Sequence, residues 1–209
     1  STIATLDGAV TLTQPVGGVV DVEVAATSAK TASTSATPAA PVAGATAGIG
    51  ASSATAVLDD ATLAEVADDA TIAGLGSLAV AATGTGVSLA GAAAITGSTV
   101  TTAARIGTGP ALIADGDVTV AATQVAPTTT TAKGAAEAGD VAVGAVLALS
   151  IVDHAVLATT ERDLVATGTI TISVGGASSA TTVAEAAAGG APEDDSAGAG
   201  TNPTATEQV

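Results

Sequence analysis

A chain of 209 residues without a single Phe, Tyr, Trp, Cys or Met must draw its 47% hydrophobic fraction from Ala, Val, Leu and Ile. That excludes disulfides, zinc–thiolate sites, iron–sulfur clusters and thiol nucleophiles, and it disfavours a thick globular core, which normally relies on the large area that aromatic rings bury. Twenty acidic residues against four basic ones (Lys30, Arg105, Lys133, Arg162) give a formal charge of −16, leaving no basic patch for nucleic acid and repelling anionic membrane surfaces.

The chain starts at Ser1, as a processed mature protein or an excised fragment would. Residues 20–25 (VDVEVA) alternate strictly, the period-2 signal of a strand with two different faces. Residues 28–41 are rich in Ser, Thr, Ala and Pro and read as a loop-like insertion extending to about 44. The segment 58–72 (LDDATLAEVADDATI) fits strands separated by acidic turns, but also an acidic helix carrying Leu63, Val66 and Ala70 on one side.

A second strand signal follows at 76–81 (GSLAVA), and 83–91 (TGTGVSLAG) superficially resembles a dinucleotide-binding loop. Its last Gly is displaced and no acidic residue follows at ribose-binding distance, so it reads as a repeat turn. Further strands are predicted at 116–121 (GDVTVA) and 168–173 (GTITIS), with a second loop-like insertion at 124–138. The apolar run 141–152 falls short of the ~20 residues needed to cross a bilayer. Residues 186–209 are an acidic tail or linker rich in Gly, Ala and Pro, which leaves 1–185 as one β-repeat domain.

Three strand signals end in the same Val-Ala-Ala-Thr, at Thr27, Thr83 and Thr123. Residues 66–83 overlay 106–123 at an offset of 40, and Asp59-Asp60-Ala61 overlays Asp153-His154-Ala155 at an offset of 94, continuing through Asp69/Asp163 to Gly74/Gly168. A short unit of this kind buries an apolar face only by stacking on its neighbours. The expected fold class is therefore all-β, a parallel β-helix or solenoid whose narrow interior holds small aliphatics. An antiparallel β-sandwich of a filament subunit is the alternative, followed by a mixed α/β arrangement.

Carboxylates beside turns are the most plausible chemistry. Asp115, Asp117, Glu193, Asp194 and Asp195 form clusters able to contribute some of the six to eight oxygens around Ca²⁺, although none matches a twelve-residue Ca²⁺ loop or a Gly-rich nonapeptide array. Acidic turns that simply solvate the surface are the competing reading. His154 is the sole histidine, with Asp153 beside it, but no Gly-x-Ser-x-Gly elbow accompanies it, and its overlay on Asp60 reads as a surface turn substitution. No catalytic residue and no cofactor other than Ca²⁺ is expected.

The unit Ala-Asp-Gly-Asp-Val-Thr-Val-Ala-Ala-Thr (114–123), preceded by Ile-Gly-Thr-Gly-Pro-Ala-Leu-Ile-Ala (106–114), resembles repeats of large bacterial surface proteins, the filamentous-haemagglutinin-like adhesins. Residues 138–149 resemble them too. The resemblance spans about residues 45–180, though the chain has almost no Asn for an Asn ladder and its offsets of 40 and 94 share no coil length. It implies a right-handed parallel β-helix, export to the cell surface, and adhesive or scaffolding work. The expected function is an extracellular structural protein, an adhesin segment or a filament or sheath subunit that self-associates. A calcium-responsive surface-layer module and a polysaccharide-active β-helix enzyme are the alternatives.

Overall fold

The computed structural model describes residues 1–13, 18–36, 47–50, 52–91, 93–137 and 141–189, and within them every regular element is a strand. The described residues wind through four coils. The first holds β1 (Thr2–Leu6), β2 (Ala9–Thr11), β3 (Val20–Thr34) and β4 (Ala47–Gly50); the second β5 (Ser53–Val66), β6 (Thr71–Ala73) and β7 (Leu75–Gly91). The third holds β8 (Ala93–Ile106), β9 (Leu112–Ala114), β10 (Val118–Glu137) and β11 (Val141–Gly144); the fourth β12 (Ala148–Thr160), β13 (Leu164–Ala166) and β14 (Ile170–Gly189). Corresponding strands pair to give one sheet in the order β1-β5-β8-β12 and a second in the order β3-β7-β10-β14, with short corner sheets β2-β6 and β9-β13. Each strand pair is parallel. The solenoid expectation therefore holds, and the antiparallel and α/β alternatives fall. The segment 58–72 is strand, turn and strand, because pairing on the sheet outweighs the helix propensity of its alanines.

The strand signals are the starts of the second sheet, stacked in register. Val22, Leu78, Val118 and Ile170 form one inward row, Val24, Val80, Val120 and Ile172 the next. Thr27, Thr83 and Thr123, the ends of the repeated tetrapeptide, stand side by side and exposed. Inward rows of this sheet meet Val66, Ala64, Ile106 and Ala104 of the other, forming the main apolar cluster. A fully buried Val or Ile contributes roughly 2 kcal/mol, so this end of the coils anchors the stack. The opposite end is filled by Ala56, Ala90, Ala94 and Ala132, whose small side chains suit a narrower interior.

The two sequence offsets have one origin. β5 and β8 pair at a step of 40 residues and β8 and β12 at 54, so the offset of 94 is two coils taken together. β4 and β11 pair directly at that same offset, because β7 ends at Gly91 and β8 begins at Ala93, leaving the second coil without a counterpart. The overlay slips at its end. Gly168 stacks on Gly116, which stacks on Gly76 rather than Gly74, because the turn from Thr160 to Leu164 is two residues shorter than that from Ile106 to Leu112.

Two segments expected as loops are strands. Residues 28–34 belong to β3, and 124–137 lie within β10, which runs through Pro127. Pairing of β10 with β7 breaks off after Val125 and resumes at Thr128, where the proline has no N–H to donate. Residues 37–44 of the first expected insertion, and 138 at the end of the second, lie outside the described residues. Residues 186–189, expected in the tail, complete β14.

The Gly-rich stretch 83–91 is also strand rather than turn. Gly84 and Gly86 face inward, where a Cβ on Gly84 would overlap Thr102 Oγ1 and one on Gly86 would lie 2.7 Å from Val100 Cγ2 and 2.9 Å from Leu58 Cδ2. These glycines leave room for larger side chains reaching across from the facing sheet.

Candidate functional site in the turns and at the last coil

The corner before the second sheet repeats Gly followed by a short polar residue: Gly76-Ser77, Gly116-Asp117 and Gly168-Thr169. The Ser77 N–H donates to Asp21 Oδ1 (2.8 Å), the Asp117 N–H to Ser77 Oγ (3.4 Å) and the Thr169 N–H to Asp117 Oδ1 (2.7 Å). Each polar side chain thus receives the N–H of the coil above. Glycine precedes each later donor because a Cβ there would strike the reaching side chain. Asp115 and Asp117 share this corner, and Asp117 is occupied in capping Thr169. Glu193, Asp194 and Asp195 lie outside the described residues. Among the described residues, no group of three His, Cys, Asp or Glu side chains is placed to hold a metal ion.

The corner after the first sheet is held by two arginines. Arg105 reaches Asp68 (2.7 Å), Glu161 (3.5 Å) and Glu65 (3.8 Å). Asp68 also accepts the Thr108 N–H at 2.9 Å, and that bond, aided by Arg105, holds its carboxyl below the usual carboxylate range. Arg162 is buried, and its guanidinium donates to four backbone carbonyls: Gly107 (2.5 Å), Ala70 (2.6 Å), Ala67 (2.8 Å) and Thr108 (2.7 Å). One side chain of the fourth coil thereby clamps the turns of the second and third. The planar fork of five N–H donors suits this task as an ammonium does not.

A polar seam crosses the interior between its aliphatic and alanine ends. Buried Asp60 accepts from Lys30 Nζ at 2.7 Å and from Ser28 Oγ at 2.8 and 3.0 Å. The Asp60 carboxylate raises the Lys30 pKa. One coil up, Thr130 Oγ1 donates to Thr96 Oγ1 at 2.8 Å, and the Gln124 amide nitrogen reaches the carbonyls of Val100 and Ala155.

His154 belongs to this seam and not to a surface turn. It sits within β12, in register with Val100 and through it with Asp60, so the predicted overlay is structurally real. Alternation along the strand points its ring inward and half-buries it. Its Nε2 lies 2.9 Å from Ser98 Oγ and its Nδ1 2.6 Å from Ser178 Oγ. Both nitrogens meet hydroxyls, and Asp153 projects from the other face of the strand. Loss of hydration lowers the imidazole pKa, against the opposing pull of Asp153.

The fourth coil differs from the others in exposure. Val118 and Val120 are fully buried, whereas Ile170 and Ile172, their neighbours in register, are 44% and 47% exposed. Val174 is 54% exposed above buried Ala122. Sequence reasoning found this row as a strand but not as a surface, because alternation shows which side chains face inward and not whether anything lies above them.

The chain matches no family model, no curated protein and no solved structure. No helix among the described residues is long and apolar enough to cross a membrane.

Proposed function

We propose that the chain is an extracellular structural protein, a β-solenoid serving as a segment of an adhesin rod or as a subunit of a filament or sheath. One observation carries this reading: the side chains best suited to chemistry join one coil to another. Arg162 clamps turn carbonyls, Arg105 and Asp68 bridge turns, and Asp117 caps the coil above it. Lys30 neutralises Asp60 and Ser28 donates to it. Both nitrogens of the His154 imidazole meet hydroxyls, and among the described residues no carboxylate bonds to it to orient it as a general base toward Ser178, so the reading assigns no catalytic task.

A charge of −16 suits an exported surface, keeping it hydrated. The test is immunogold labelling of the producing cells with an antibody against the folded chain. Label on extracellular fibres or the cell surface is expected, and label confined to the cell interior would overturn the proposal.

A further inference from the structure

We infer that the free edge of the fourth coil is a docking face for the first coil of a second copy, giving head-to-tail growth with β14 beside β3 of the next chain. This rests on the structural reading above and adds the partner and the register. Three observations carry it.

First, the apolar row Ile170, Ile172 and Val174 is half exposed although the second and third coils bury their equivalents, Leu78, Val80 and Ala82 and Val118, Val120 and Ala122. β14 is 20 residues long and hydrogen-bonded on one side only among the described strands.

Second, β3 supplies that row. Its inward residues Val22, Val24, Ala26 and Ser28 follow the pattern that β7 and β10 present to their neighbours. Continuing the register sets Val22 on Ile170, Val24 on Ile172 and Ala26 on Val174. Fifteen paired residues extend ~50 Å, and with sheets ~10 Å apart the contact buries on the order of 1,000 Å² over both copies, the lower bound of a specific interface.

Third, the corner ladder is complementary in hydrogen bonding. From the first coil to the fourth it reads Asp21, Ser77, Asp117, Thr169, acid alternating with hydroxyl. A second copy brings Asp21 next to Thr169, so the alternation continues and no two acids meet. The Thr169 hydroxyl then accepts the incoming Asp21 N–H, as each lower side chain accepts from the coil above. The two ends differ, so the contact is heterologous and open, the geometry that builds filaments.

Sedimentation velocity of the full chain tests this with two variants that each block one end. Ile172→Lys places a charge in the fourth-coil row and Val22→Lys does the same in the first coil. Wild-type chain is expected to form a ladder of species that lengthens with concentration and with salt, since each copy carries a like charge. Each variant alone is expected to stay monomeric with an unchanged far-UV spectrum, and their mixture to stop at a heterodimer. Thr169→Asp, which leaves the apolar row intact, is expected to weaken assembly several-fold and to recover in high salt.

Wild-type chain monomeric at all concentrations would overturn the inference, as would a mixture of the two blocked variants that stays monomeric while wild type polymerises. Either result leaves the structural proposal standing, because a rod segment within a larger chain needs no second copy. That proposal fails only on the labelling result.

Discussion

Replacing Arg162 by Met keeps an unbranched, flexible stem and removes all of its donors. Four carbonyls lose a bond, but Thr108 O still accepts from the Asp69 N–H at 2.8 Å and Ala67 O from the Ala70 N–H at 3.3 Å. Gly107 O and Ala70 O have no other donor among the bonds described. A buried carbonyl stripped of its partner costs ~1–3 kcal/mol, so two give a destabilisation of about 2–6 kcal/mol. Arg162→Lys, with a single nitrogen, is expected to fall between Met and wild type, because it cannot span carbonyls on two turns at once. Urea denaturation followed by far-UV circular dichroism gives the free energies. Hydrogen exchange is expected to locate the loss in the turns at 67–70, 107–110 and 161–163. A Met variant within 0.5 kcal/mol of wild type would refute the claim that this side chain clamps three coils.

Other consequences follow from the same packing. Gly84→Val is expected to destabilise the chain by ~1–3 kcal/mol through overlap with Thr102, measured by urea midpoint, while Thr83→Val on the exposed face is expected to change little. Asp117→Ala removes the cap on the Thr169 N–H and is expected to cost ~0.5–1.5 kcal/mol, with Asp117→Asn retaining part of it by the same measurement. His154 has a lowered pKa in the folded chain, so the unfolded chain binds its proton first. Its contribution is fully present above an unfolded pKa of about 6.5 and declines as pH falls through the folded value. Exchange protection in β12 and β14 is expected to drop over that window, and His154→Gln to flatten the profile; an unchanged profile would remove His154 from the seam.

Much of the second sheet was readable in advance. Alternation at 20–25, 76–81, 116–121 and 168–173 reports inward rows, and a shared Val-Ala-Ala-Thr reports their register, because parallel coils place like residues side by side. Strand length was not readable. Residues 124–137 contain Pro, Gly and four successive threonines, a loop composition, yet pairing with β14 along the whole segment and with β7 over part of it extends the strand through them. The polar seam was missed for a related reason. Asp60 and His154 interrupt an apolar pattern and look like turn residues, and only the facing sheet brings Lys30, Ser28 and Ser178 to meet them. The corner carboxylates were recognised as a cluster, but their hydrogen-bonding role depends on coils 40 and 52 residues apart in sequence.

Disulfide trapping tests the parallel, in-register stack most directly, since the chain has no cysteine to interfere. Thr83 and Thr123 are exposed partners on β7 and β10, at a strand spacing of ~4.8 Å that a disulfide can bridge. Thr83→Cys with Thr123→Cys is expected to oxidise readily. Thr83→Cys with Ala121→Cys or Val125→Cys, two residues out of register and ~8 Å apart, is expected to resist. Equal trapping of all three pairs, or preference for a shifted pair, would contradict the solenoid described above.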